Sequence, residues 1–121
     1  MTPPLLSPPL PRRGEVYWLD FDPSTGAEMS ALHPRIVVSN DTGNRVGSLV
    51  IAVAVTSNLR AATLPVGVFL PAGTGGLPLD SVAHCGHVYA VDKARLGLRI
   101  GAVPPRFLAR VDQALRVSLA L

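Results

Sequence analysis

His33 and Arg35 stand on either side of a proline. An extended chain turns residues two apart the same way, with their side chains roughly 6–7 Å from each other. Imidazole titrates near neutrality, so His33 can take or give a proton. A guanidinium offers a planar fork of donors that matches phosphate at two points, so Arg35 suits an anion at the same place. The other reading of His33 is a plain loop residue. Thr56 closes a long apolar run. Its hydroxyl can bond a phosphate oxygen, or it can be an ordinary strand-terminal threonine. Metal chemistry fits poorly. The soft ligands are His33, His84, His87 and Cys85, and on a regular strand positions 84 and 87 face opposite sides. There is no paired C-x-x-C and no H-E-x-x-H. Gly73-Thr74-Gly75-Gly76 lacks the lysine of a phosphate-binding loop, and no G-x-S-x-G elbow occurs. Neither a metal nor a cofactor is expected.

Short strands must position these groups. Glu15 to Phe21 alternates, with Val16 and Trp18 on one side and Tyr17, Leu19 and Phe21 on the other, so both faces are expected to be covered. Asp22 to Leu32 is turn chemistry followed by a patternless loop, a kind of segment that often carries function. Arg35 to Ser39 reads as a β-branched strand. Asn40 to Arg45 fits either a capped helical turn or a loop. The continuous apolar run from Leu49 to Val55 predicts a central strand covered on both faces. Val66–Leu70, Ser81–Val91 and Leu98–Val103 read as further strands, with a glycine-closed turn at Asp92–Gly97. Pro104-Pro105 opens the one clear helix. Its apolar stripe comprises Leu108, Val111, Leu115 and Leu119, with Ala114 and Ser118 alongside. About six strands and a terminal helix describe a strongly bent small sheet or partly open barrel.

The 121 residues suffice for one domain, expected at 13–121. Residues 1–12 read as a flexible proline-rich tail. They lack the basic start and continuous apolar stretch of a signal peptide. No apolar stretch approaches the ~20 residues that cross a bilayer. One cysteine precludes an internal disulfide, and a cytoplasmic address fits best. Hydrophobic residues make up 48% of the chain, a surplus for so small a domain that points to a subunit interface and hence a homodimer. The net charge is only +3, yet ten arginines face a single lysine, Lys93. That bias suits phosphate and base stacking, though high-GC coding would also produce it.

In order and spacing, several segments together resemble the MazF/PemK/Kid family of toxin endoribonucleases from type II toxin–antitoxin systems. They are Gly14 to Phe21, the loop Asp22 to Glu28, His33 to Asp41, the strand ending Thr56-Ser57, and Val91 to Gly97. The likeness extends over about residues 12–121. It implies an SH3-like, strongly bent small barrel of about six strands with a C-terminal helix. It also implies metal-independent, sequence-specific cleavage of single-stranded RNA to 2′,3′-cyclic phosphate and 5′-hydroxyl ends. The partners it implies are a second copy of the chain and a cognate antitoxin whose flexible acidic segment blocks the RNA groove. Operator DNA would be met only through that antitoxin.

The family's centre is an arginine and a threonine. Thr56 matches the threonine, but the arginine position holds His33. Three readings stand: His33 acts as acid or base with Arg35 on the phosphate, His33 is a loop residue of an altered or inactive toxin, or other groups take part, His84 or His87 among them. Ser57, beside Thr56, is expected at the RNA. The family's acidic-Gln-x-basic run is replaced by Gly86, His87, Val88 and Tyr89, so base preference should differ. His87 and Tyr89 are the RNA-contact candidates there, Tyr89 by stacking on a base. Glu28 keeps the acidic loop residue of the family, or is a solvated carboxylate. Two rivals stand beside the enzyme. One is a catalytically impaired toxin-fold protein that binds its antitoxin and operator complex. The other is a CcdB-like gyrase poison, weakened because such toxins use a tryptophan near the C-terminus. Here the chain ends Ser118-Leu119-Ala120-Leu121, and the only tryptophan is Trp18.

Overall fold

Alternating and β-branched segments pair into one sheet of six strands in the computed structural model, which describes residues 10–19 and 33–121. The strands are β1 (Glu15–Leu19), β2 (His33–Val37), β3 (Leu49–Thr56), β4 (Gly67–Leu70), β5 (Ser81–Asp92) and β6 (Leu96–Ala102). Among the described residues two α-helices accompany the sheet, α1 (Asp41–Val46) and α2 (Pro105–Leu119). The sheet order is β4-β5-β3-β2-β1-β6, and every pairing is antiparallel. Bulges between β1 and β6 and between β3 and β5 add twist and bend the sheet strongly. It does not close, because its edges β4 and β6 are not paired with each other.

The segment after β4 spans part of that gap. Its turn at Thr74–Gly76 packs on β6 so tightly that only glycine fits. A Cβ on Gly76, at φ +82°, would lie 1.9 Å from the Ile100 carbonyl oxygen. One on Gly101 would lie 2.4 Å from the Gly75 oxygen. Even alanine at either position would force this crossing apart.

Two apolar clusters hold the sheet from opposite faces. Val16, Ile36, Val53, Val55, Leu70 and Leu77 pack with Val111 and Ala114 of α2. Tyr17, Val37, Val50, Ala52, Val91 and Leu96 form the second cluster. Burial of each such aliphatic side chain contributes about 1.5–3 kcal/mol, the main favourable term in holding the bend. β1 is covered on both faces as its alternation predicts, with Val16 in one cluster and Tyr17 in the other.

Several expectations need correction. β2 begins at His33, not Arg35, and His33 pairs with Leu19, so it is a strand residue and not a loop residue. β3 is covered on both faces only beyond Ala52; Leu49 and Ile51 are half exposed, because no element among the described residues covers their side chains. Leu119 leaves the helix stripe and is exposed, since α2 outruns the sheet beneath it. Asn40–Arg45 resolves as a helix start: Asn40 Oδ1 accepts the Gly43 N–H at 2.8 Å, and Asn44 is fully buried and bonded to Ser39. The last strand starts at Leu96, two residues before the expected Leu98. Pro11, assigned to the tail, is fully buried.

Candidate active site

β2 and β3 build the centre of the site. Their register sets Arg35 opposite Ala54 and, continued two residues, brings His33 across from Thr56. All four residues line one cavity of about 430 Å³, within the size range of small-molecule sites. Ser57, His87 and Tyr89 line it as well, so six of the seven candidate residues converge. The seventh, Glu28, lies outside the described residues.

β3 places small side chains under the site, and the size of Ala52 and Ala54 leaves room above the strand. The Arg35 guanidinium lies over the Tyr89 ring, 5.2 Å from its centre, in cation–π contact. Its Nη1 donates to the Pro34 carbonyl at 3.1 Å. Its Nε is buried and has no partner among the described residues, and the same holds for Nε2 of His33. Burial pulls the Arg35 guanidinium below its ordinary value, with the nearby Tyr89 acting in the opposite direction. A partly dehydrated cation with a donor to spare is a good seat for an anion. Thr56 Oγ1 accepts the Asn58 N–H at 3.1 Å, which fixes the hydroxyl and leaves its own proton to donate.

β5 contributes the third wall through its bulge. Val53 pairs with Val88, but Ala54 pairs with His84, so three residues (85–87) loop out of the ladder. Regular strand geometry would set His84 and His87 on opposite sides. The bulge brings them together, stacked with ring centres 4.0 Å apart and planes 14° from parallel. The Gly86 N–H donates to His84 Nδ1 at 3.2 Å and holds that ring in place. His87 also meets Tyr89 edge-on, with ring centres 6.5 Å apart. Among the described residues no three His, Cys, Asp or Glu side chains converge as metal ligands. The two imidazoles meet face to face, which is not how nitrogens converge on an ion.

Thr56 and His87 also line an adjoining cavity of about 560 Å³, together with His84, Asn58 and Arg60. Asn58 and Arg60 went unread in the sequence. They belong to a 3-10 turn, Leu59–Thr63, where Asn58 Oδ1 accepts the Arg60 N–H at 3.2 Å. An Asn two residues before an Arg, just beyond a strand end, is the signal that could have found them. No carboxylate among the described residues lines either cavity. Both suit a phosphodiester.

A bent antiparallel sheet that presents an arginine, two histidines and a strand-end hydroxyl around an anion-ready cavity defines a small phosphodiester-handling protein. Over residues 12–119 the chain matches the family described as PemK-like, MazF-like toxin of type II toxin–antitoxin system, and it belongs to that family. It is 36% identical over 110 residues to endoribonuclease EndoA of Bacillus subtilis, covering 91% of this chain and 95% of the relative. With endoribonuclease MazF9 of Mycobacterium tuberculosis it shares 41% identity over 115 residues, covering 91% and 97%. Its fold is similar to that of a mycobacterial endoribonuclease solved in complex with its cognate antitoxin. The TM-score there is 0.77 at 29% identity, with 92% and 96% of the two chains covered.

Proposed function

We propose that this protein is the toxin of a toxin–antitoxin pair and a metal-independent, sequence-specific endoribonuclease acting on single-stranded RNA. The observation that carries the reading is the convergence of His33, Arg35 and Thr56 on one cavity, where His33 Nε2 and Arg35 Nε are buried without partners among the described residues. Such atoms are costly to leave unpaired, and a bound phosphodiester would pair them.

In the proposed reaction Arg35 and the Thr56 hydroxyl hold the non-bridging oxygens of the phosphate. His33 takes the proton of the ribose 2′-OH, the 2′-oxygen attacks phosphorus, and the bond to the 5′-oxygen breaks as that oxygen receives a proton from a general acid. The products are a 2′,3′-cyclic phosphate and a 5′-hydroxyl. Ser57, Tyr89 and Glu28 belong to the RNA-contacting set, with Tyr89 already serving as a ring platform for Arg35.

The partners follow from the same surface. A flexible acidic segment of the antitoxin would occupy these cavities, which no carboxylate among the described residues lines, and exclude RNA; operator DNA would be met through the antitoxin alone. Leu49, Ile51 and Leu98 are left exposed. They support a homodimer burying at least ~1,000 Å², the floor for a biological interface. The cytoplasm, where RNA is abundant, is the proposed place of action.

The test is to incubate purified protein with a long RNA in EDTA and map the cut ends. Cutting should survive chelation and leave 5′-hydroxyls. Products with 5′-phosphates, or activity abolished by EDTA, would overturn the reading. Cutting only after His33→Arg would identify the natural chain as a catalytically impaired toxin.

A further inference from the structure

Cleavage of RNA without a metal needs two proton transfers: one away from the 2′-OH and one to the departing 5′-oxygen. His33 can serve only one of these within a single transition state. The second group must face the same phosphate from another wall. Of the described residues lining the His33 cavity, His87 is the one other side chain that can exchange a proton near neutrality.

We propose that His87 is the general acid that protonates the leaving 5′-oxygen, and that His84 positions it. The proposal rests on the reading of the chain as a metal-independent endoribonuclease with His33 as base. His33 comes from β2 and His87 from the bulge of β5, and β3, which carries Thr56, runs between those two strands. An in-line displacement requires that arrangement: base and acid on opposite sides of a phosphorus whose charge is held in the middle.

His87 sits on the exposed rim, where a leaving strand can depart, and it lines the adjoining cavity as well. Three features hold it there. It stacks on His84, the Gly86 N–H fixes His84 through Nδ1, and Tyr89 meets it edge-on. With Nδ1 engaged by the Gly86 N–H, His84 presents a fixed ring face to His87. Among the described residues, the charged or titratable groups around His87 are His84, Tyr89 and, across the cavities, His33, Arg35 and Arg60. The step balances. His33 gains the 2′-OH proton, His87 gives one to the 5′-oxygen, a P–O2′ bond forms, the P–O5′ bond breaks, and solvent restores both rings.

A sulfur leaving group distinguishes this role from RNA binding, because a thiolate departs without protonation. A synthetic oligonucleotide spanning a mapped cut site is compared with its twin carrying a 5′-bridging sulfur at the scissile position. His87→Ala should cut the oxygen substrate 10²–10⁴-fold more slowly than the parent, the usual loss for general acid catalysis. It should cut the sulfur substrate at nearly the parental rate. His33→Ala should be slow on both. A Cβ on Gly86 would come within 2.8 Å of His84 Cε1. Gly86→Ala should therefore displace the positioning ring and reproduce the His87→Ala pattern in milder form, with folding checked by circular dichroism. If His87→Ala is equally slow on both substrates, His87 binds RNA and the proposal fails. If it matches the parent on both, the proposal also fails. A parent that cuts neither substrate overturns the endoribonuclease reading itself, which is a different result from failure of His87 alone.

Discussion

The guanidinium carbon of Arg35 lies 5.2 Å from the centre of the Tyr89 ring, two residues bridged across β3 by alanines. Arg35 pairs with Ala54 and Tyr89 with Ala52, so the ring and the guanidinium meet above the small side chains of the intervening strand. The contact does two things. It holds the fork in place before substrate arrives, and it offsets part of the cost of taking a cation out of water.

Arg35→Ala should therefore lower kcat/KM for RNA by about 10²–10³-fold, the range for loss of one preorganised charge-stabilising donor. Arg35→Lys should recover only part, because an ammonium cannot span two phosphate oxygens. Tyr89→Phe keeps the ring face and should stay near the parent. Tyr89→Leu loses a cation–π contact of about 0.5–2 kcal/mol, a deficit of roughly 2- to 30-fold. Steady-state cleavage of a fluorogenic RNA checks the series. An unaffected Arg35→Ala would remove Arg35 from the phosphate.

The family resemblance sets His33 where those toxins are expected to carry arginine, and the two side chains make opposite predictions about pH. Imidazole works only in the correct charge state, so the parental rate should depend on pH. His33→Ala should lose 10²–10⁴-fold. His33→Arg should keep or raise activity and flatten that dependence, because a guanidinium stays charged throughout. Rates from pH 5 to 9 for the three proteins decide the matter. Equal activity of His33→Ala and the parent at every pH would rule out His33 as the catalyst.

Much of this architecture is legible in the sequence because alternation, β-branching and turn residues act locally. Val16 and Tyr17 enter opposite cores as their positions predict, and Pro104-Pro105 opens α2. The grouping of His33, Arg35, Thr56, Ser57, His87 and Tyr89 was legible through family spacing. What escaped depends on non-local pairing. A strand read residue by residue parts His84 from His87, and only the loss of register against β3 joins them. Arg60 reaches the site through a 3-10 turn of ordinary composition, Leu-Arg-Ala-Ala-Thr, whose one cue is the cap Asn58. The exposure of Leu49 and Ile51 escaped for a similar reason, since an apolar run does not reveal which end of its strand is left uncovered.

Tyr17 makes stability depend on alkaline pH. It is almost fully buried, and its hydroxyl donates to Glu15 Oε1 at 3.0 Å. Burial first, then the Glu15 carboxylate, push the phenol up to about 12 from an ordinary 10.0. A group whose pKa is raised on folding contributes fully below its unfolded value, and the contribution is lost as pH rises through the folded one. Urea midpoints should therefore fall between about pH 10 and pH 12. Tyr17→Phe should flatten that fall, and at neutral pH it should fold, since Glu15 keeps Arg99 Nε at 2.5 Å and the Arg12 N–H at 2.7 Å. An unchanged slope in the phenylalanine variant would show that other groups set the alkaline limit.

Cys85 supplies a probe of the core that owes nothing to catalysis. It follows His84 directly, yet it points away from the cavities, into the cluster packed beneath α2, with Sγ 3.9 Å from the Val111 carbonyl. Burial, with a smaller contribution from the Asp112 carboxylate, raises its thiol to about 11. The reactive species is the thiolate, so the folded protein should resist a disulfide-exchange reagent at pH 8 on two counts, protonation and access. Labelling should proceed at the rate of unfolding and become fast in denaturant. Val111→Ala removes side-chain volume from the buried cluster that holds the thiol and should cost about 1–4 kcal/mol, less than the usual penalty for truncating a buried leucine. It should speed labelling while leaving the cleft residues in place. Rapid stoichiometric labelling of the native parent would mean that α2 opens from the sheet far more readily than its packing implies.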